Sequence, residues 1–256
     1  MRVTTQMFSL PKAGNTEEEY EDAFWPDEVS AAQSLQGFRC AVADGATETS
    51  FSGDWAKMLT HRWCQEPDRT RFLESLPSLQ KDWGSQIESV PMAWYAEEKA
   101  RAGAYSSLLG LAFSETAPED ESLMPWHAVA VGDSCLFHLS SSIVKPFPVA
   151  HSEDFNSRPY LLSSVPMNDD VLRENVLIEN GACVAGDVFY LMTDALACWF
   201  LRRHEEGQNI TERLLKLDGP EMFQRLVDEE RAARDAEGQP YLRNDDVTLL
   251  RLVIRE

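Results

Sequence analysis

Phe38-Arg39-Cys40-Ala41-Val42-Ala43-Asp44-Gly45-Ala46-Thr47 is the stretch around which the chain is organised. Phe38 to Ala43 reads as a buried strand, short, apolar and bounded by a turn signal. Asp44 stands where the strand stops, and Gly45 lets the backbone turn sharply beside it. Ser52-Gly53-Asp54-Trp55 then opens a helix, with Ser52 as the expected N-cap and Asp54 in the first turn. Trp55, Met58, Leu59 and Trp63 follow at helical spacing. A carboxylate at a strand end, beside a carbonyl freed by glycine, is a ligand pair for a hard cation. An isolated Asp-Gly pair is more often only a turn. Two later stretches repeat the pattern of an apolar strand ending in Asp, and that repetition favours a metal site.

Composition narrows the classes. The 256 residues are 43% hydrophobic and 26% charged, ordinary for a soluble globular protein and enough for a sizeable core. The net charge of −20 argues against nucleic acid and against anionic membrane surfaces, both of which recruit Lys and Arg. Most of that excess reads as a solvated acidic surface. Cys40, Cys64, Cys135, Cys183 and Cys198 are odd in number, scattered and mostly in apolar surroundings, with no C-x-x-C pair. They read as reduced core thiols of a cytoplasmic protein. No apolar signal core opens the chain, and no run approaches ~18 apolar residues, so a soluble intracellular protein is expected.

Taken in order, residues 3 to 10 suggest a first strand ended by Pro11, and Lys12 to Tyr20 a polar loop. Glu21 to Trp25 is a short strand, which brings Glu21 or Asp22 near Asp44 if it pairs with Phe38 to Ala43. Helical patterns cover 54–65, the run with Leu79, Trp83 and Ile87, and a stretch with Met92, Tyr95 and Ala96. The tryptophans read as core packing. Ser106 to Ser114, Trp126 to Val131, Cys135 to Leu139 and Ile143 to Val149 suggest an antiparallel meander, with Gly132-Asp133-Ser134 as a tight hairpin turn. Residues 150 to 175 read as an ordered excursion. Strands resume at Val176 to Ile178, Ala182 to Ala185 and Val188 to Met192, with Asp187 as a hairpin-turn acid. Thr193-Asp194-Ala195 then leads into a helix stopped by Gly207. Helices at 210–217 and 219–235 precede Asn244-Asp245-Asp246 and a last strand, Leu249 to Ile254. With no repeat and no flexible linker, one domain spanning residues 1–256 is expected.

The acids at strand ends are Glu21 or Asp22, Asp44, Asp133, Asp194, and Asp245 or Asp246. Oxygen ligands without His or thiolate suit Mg²⁺ or Mn²⁺ rather than zinc. Gathered carboxylates repel unless cations neutralise them. Two such cations sharing a carboxylate activate water for phosphate-ester hydrolysis.

In this order the pieces resemble the metal-dependent protein phosphatases, the protein phosphatase 2C family. Glu21-Asp22-Ala23 is similar to its "EDA" motif and Val42-Ala43-Asp44-Gly45 to its "VxDG". Ala130-Val131-Gly132-Asp133-Ser134 is similar to "GDSR", Leu191-Met192-Thr193-Asp194-Ala195 to "LxSDG", and Asp245-Asp246-Val247-Thr248 to "DDxT". The resemblance runs almost end to end. It implies an α+β fold, a four-layer α-β-β-α sandwich of two antiparallel sheets. It implies a serine/threonine protein phosphatase in which two Mn²⁺ or Mg²⁺ ions activate the water that attacks phosphoserine or phosphothreonine. By position, Asp44 would bridge both ions and, with Asp194, carry catalysis. Glu21 and the Gly45 carbonyl would complete one ion, and Asp194 and Asp245 would hold the other. Asp133 would help bind a looser third ion found in some members. The implied partners are a phosphoprotein substrate and an associated protein kinase.

The chain departs from the family pattern at several positions. Glu17 stands where many members carry a phosphate-gripping Arg, and no Arg lies between Arg2 and Arg39. Lys12 is the basic residue in that loop. Asp44-Gly45-Ala46-Thr47-Glu48 replaces "DGHGG", removing the histidine proposed as a general acid. Cys135 and Ala195 replace the Arg of "GDSR" and the Gly of "SDG". The alternative to an active enzyme is a catalytically weak or inactive regulatory or binding module on the same fold. A third reading takes the acids as solvated strand ends of a generic α+β protein.

Overall fold

The computed structural model describes the chain except residues 28–31, 48, 50, 90, 92–99, 117–119, 121, 142 and 157, and gives the backbone alone at 156. The strands are β1 (Arg2–Leu10), β2 (Asp22–Trp25), β3 (Gln33–Ser34), β4 (Arg39–Asp44), β5 (Tyr105–Ser106), β6 (Leu108–Phe113) and β7 (Met124–Val131). They continue with β8 (Cys135–Ser140), β9 (Ile143–Phe147), β10 (Leu162–Ser163), β11 (Leu177–Cys183), β12 (Val188–Met192) and β13 (Val247–Arg255). The helices are α1 (Ser52–Gln65), α2 (Arg69–Glu88), α3 (Asp169–Glu174), α4 (Asp194–Glu205), α5 (Ile210–Leu215) and α6 (Pro220–Ala232).

Among the described residues one antiparallel sheet runs β11-β7-β6-β4-β2 and the other β3-β1-β13-β12-β8-β9. β5 pairs with β10 in a short ribbon. The two-residue period of a strand decides the layering. On β4, Ala41 and Ala43 face Trp55, Leu59 and Trp63 of α1, while Cys40 and Val42 face the other sheet. On β12, Phe189 and Leu191 point into that same central layer, and Tyr190 and Met192 point outward to Trp199, Phe200 and Phe223. Three apolar layers result: α1 and α2 against the first sheet, sheet against sheet, and α4, α5 and α6 against the second. The expected four-layer α-β-β-α sandwich is the observed one.

α1 lies so close to β6 that a Cβ on Gly110 would stand 2.3 Å from Cε2 of Trp63, so only glycine fits beneath that indole. Asp68 caps α2, its side chain accepting from the Arg71 amide at 2.9 Å. Pro220 at the start of α6 and Gly207, at φ 77° just past α4, mark a helix start and a helix stop.

Several local expectations differ. Ser52 does not cap α1: Phe51 holds the N-cap position with φ 63°, and the Ser52 hydroxyl donates instead to Glu21 Oε1 at 2.7 Å. Gly132-Asp133-Ser134 is not a hairpin turn. β7 belongs to the first sheet and β8 to the second, so these residues cross between sheets and no single meander exists. The two short strands expected at 176–178 and 182–185 are one strand, β11, paired along its length with β7. The helix expected around Met92, Tyr95 and Ala96 lies outside the described residues, as does Glu48. No helix among the described residues is long and apolar enough to cross a membrane. All five cysteines are free.

Candidate metal centre

The site forms where strands of both sheets end. Asp22 and Asp44 sit opposite each other in the β2–β4 register. Asp22 is almost wholly buried, and its Oδ2 accepts from the hydroxyls of Thr193 at 2.9 Å and Thr248 at 2.7 Å. Thr193 precedes α4 and Thr248 lies on β13, so one carboxylate of the first sheet is fastened to two elements of the second. The Thr248 hydroxyl also meets that of Tyr20. Burial is the largest influence on Asp22 and pushes its carboxyl well up, while the Thr248 hydrogen bond pulls the other way.

Asp44 is positioned through its backbone. Its amide donates to Ser107 Oγ at 3.0 Å, and its carbonyl accepts from Ser106 Oγ at 2.9 Å and from the Ser107 amide at 2.9 Å. Ser107 Oγ also lies 2.7 Å from Ser134 Oγ, next to Asp133. Gly132 makes that approach feasible: its φ is 97°, and a Cβ there would stand 2.7 Å from Cβ of Ser107. The β4 end and the inter-sheet link are thus locked together by serines.

The side chains then act on one another. Burial raises the Asp44 carboxyl well above the usual carboxylate range, and the charges that add to this are, strongest first, Asp194, Asp22, Asp133 and Asp245. Asp133 is pushed up to about 7 by burial and by Asp194. Asp245 is raised by burial and by Asp194, with Arg243 opposing. The sequence-predicted Asp133, Asp194 and Asp245 therefore all lie within electrostatic reach of Asp44, and Asp133 and Asp245 within reach of Asp194, in spite of lying in four separate segments.

Glu21 is placed differently. Its carbonyl accepts from the Gly45 amide at 3.2 Å, so the two backbones are neighbours. Its carboxylate, however, takes the Ser52 hydroxyl and lies 3.7 Å from Lys12 Nζ. There it lines a polar cleft of about 410 Å³ with Lys12, Asp54 and Lys57. A larger cavity, about 780 Å³ between α2 and residues 164–173, contains none of these strand-end acids. Asp246 is buried and holds the loop, accepting from the amides of Lys12 and Glu21 at 2.8 Å each.

Sequence reasoning gave no role to Arg243. Its Nη2 donates to Asp194 Oδ2, and its Nε lies 3.3 Å from Asp245 Oδ2. The residue stands only two positions before Asp245 in a polar loop, so no periodicity marks it. Thr193, Thr248, Ser107 and Ser134 carry no mark either, because a lone hydroxyl in sequence shows no sign of its partner.

Among the described residues, no three His, Cys, Asp or Glu side chains are gathered closely enough to grip an ion as they stand. The donor set still fits a hard divalent cation in its chemistry. It is all oxygen, it is partly buried, and its members raise one another by repulsion, which a cation relieves.

Neither a protein-family model nor a curated protein matches the sequence. Solved structures do match. The serine/threonine phosphatase PstP/Ppp of Mycobacterium tuberculosis superposes with a TM-score of 0.61 at 15% identity, covering 100% of each chain. The PstP catalytic domain in complex with two manganese ions gives 0.60 at 14%, covering 99% of this chain and 100% of that one. The photosystem II phosphatase PBCP gives 0.60 at 14% identity over 99% of both chains. RsbX in complex with magnesium gives 0.53 at 18%, covering 99% of this chain and 96% of that one. The chain has the protein phosphatase 2C-like fold, as its motif order led us to expect.

Proposed function

We propose that this chain is a single-domain, metal-dependent serine/threonine protein phosphatase. The observation that carries the reading is the convergence of Asp44, Asp133, Asp194 and Asp245, from both sheets, on a fold shared with a phosphatase structure that contains two manganese ions. In this reading Asp44, Glu21, the Gly45 carbonyl, Asp194 and Asp245 would hold two divalent ions, and Asp133 would help hold a looser third. Glu21 has to leave Lys12 to do so. Bound Mn²⁺ or Mg²⁺ supplies neutralisation of the carboxylates, attraction for the phosphoryl oxygens and acidification of water.

The chain's own groups do the rest. Asp22, fixed by Thr193 and Thr248, holds the sheets at one spacing, and Ser107 and Ser134 set the relative positions of Asp44 and Asp133. Water adds to phosphorus, the bond to the serine or threonine oxygen breaks, and that oxygen takes its proton from solvent, because Ala46 follows Gly45 where the family has histidine. The substrate is a phosphoprotein, an associated kinase supplies it, and the reaction takes place in the cytoplasm.

One observation favours the alternative of a regulatory module. Arg243 already provides a positive charge to Asp194 and Asp245. Hydrolysis of p-nitrophenyl phosphate and of a phosphothreonine peptide, with and without Mn²⁺, tests the choice. The expected result is turnover that appears with Mn²⁺ and vanishes in EDTA. Metal-dependent binding of a phosphopeptide without turnover would instead establish the module.

A further inference from the structure

The guanidinium of Arg243 occupies oxygens of the two carboxylates, Asp194 and Asp245, assigned above to one cation. Arg243 reaches only Oδ2 of each carboxylate, but a guanidinium and a divalent ion held on the same two carboxylates repel each other, so loading that position favours release of Arg243. The carboxylates themselves are not free to leave. Asp194 is the first residue of α4, and the Asp245–Asp246 loop is held by the Lys12 and Glu21 amides and by Arg231 on the Asp245 carbonyl. The Arg243 side chain is 43% exposed, so it can exchange without opening the core.

Its destination follows from its chemistry. A planar fork that spans carboxylate oxygens also fits phosphoryl oxygens, and a dianionic ester placed among four carboxylates needs positive charge beyond that already neutralised by the acids. Lys12, the basic residue of the β1–β2 loop, faces Glu21 instead. We propose that Arg243 is the phosphoryl-binding residue of this site, held on Asp194 and Asp245 until a divalent cation takes their oxygens. The proposal rests on the metal-dependent phosphatase reading.

Calorimetric titration with Mn²⁺ alone, and then with inorganic phosphate in the presence of Mn²⁺, tests it on the parent, Arg243→Gln and Arg243→Lys. Arg243→Gln removes the competitor, so the weaker Mn²⁺ step tightens by about tenfold, while phosphate binding weakens by about ten- to a hundredfold, as expected for a lost charge-assisted pair. Arg243→Lys keeps the charge but not the fork, so its phosphate affinity lies between the two. Parent-like Mn²⁺ affinity, or parent-like phosphate affinity, in Arg243→Gln overturns the proposal alone. If Arg243→Gln does not fold, parent-like phosphate affinity in Arg243→Lys overturns it. A parent that binds no Mn²⁺ removes the phosphatase reading, and this proposal with it.

Discussion

The Asp22 carboxylate accepts a 2.7 Å hydrogen bond from the Thr248 hydroxyl and so ties the first sheet to the second at the end where the acids meet. Thr248→Val keeps the shape and leaves Asp22 with one fewer donor, a change that costs about 1–3 kcal/mol when the stranded group is buried. Urea unfolding measures this. An unaltered midpoint would mean that Asp22 does not depend on this bond. With the sheet spacing loosened, Mn²⁺ affinity is expected to fall as well.

Asp194→Asn keeps the shape of the first α4 residue and removes its charge. Under the two-ion reading, turnover drops by about two orders of magnitude or more, and raising Mn²⁺ to the millimolar range does not restore it. The variant also frees Arg243, so its thermal stability in EDTA is expected to change little. Steady-state hydrolysis of p-nitrophenyl phosphate across a Mn²⁺ series measures the loss. Parent-like turnover would remove Asp194 from the metal centre.

Asp187 looks in sequence like a turn acid whose replacement leaves everything unchanged. In the structure it is buried, its Oδ2 lying 2.9 Å from His138 Nε2 and 3.1 Å from the Val184 amide. His138 stacks on Phe189, 4.4 Å between ring centres, inside the central layer. Asp187→Asn weakens this arrangement and is expected to lower stability by about 1–3 kcal/mol, while turnover per folded molecule stays near the parent's. Thermal melts paired with active-site-normalised rates separate the two effects. A stability equal to the parent's would return Asp187 to the role of a solvated turn acid.

Metal-free protein carries a pH signature of the clustered acids. The Asp44 and Asp133 carboxyls are raised, Asp133 to about 7, so the folded chain holds protons that the unfolded chain releases near pH ~4. The stability they contribute is complete below the unfolded value and is lost as pH rises through the folded one. Melting temperature in EDTA is therefore expected to climb as pH drops from about 8 to about 5.5. Mn²⁺ opposes the trend, because its ligands must be deprotonated, and stabilises most at the higher pH. A chelated protein that melts highest at about pH 8 would show that burial and the neighbouring acids do not hold these carboxyls raised in solution.

These outcomes also indicate what was legible in the chain. Strand ends are local, so the apolar runs stopping at Asp44 and Asp194 marked themselves, and the alternation of Ala41 and Ala43 with Cys40 and Val42 carried the layers. Which sheet a strand joins is not local. Nothing between Val131 and Cys135 distinguishes a hairpin from a crossing, and only the pairing of β8 with β12 decides it. Ser52 is not the cap because the helix starts one residue earlier than its sequence suggests: Phe51 holds the N-cap position, and the Ser52 hydroxyl donates to distant Glu21. Arg243 was invisible because its partner Asp194 lies on a different element, 49 positions earlier.

The pairing of β1 with β13, from Arg2↔Arg255 to Leu10↔Val247, sets an order of assembly during synthesis. β13 separates β1 from β12, so the second sheet has no continuous hydrogen-bonded path until residues 247–255 have been made. The five described strands of the first sheet are complete by residue 183, and the layer between the sheets lacks Leu250, Leu252 and Ile254 until β13 has been made. Asp245 and Thr248 arrive with that same last segment. A growing chain therefore acquires β13, the Thr248–Asp22 hydrogen bond and the Asp245 carboxylate almost together, and a chain shorter than this leaves the layer between the sheets incomplete.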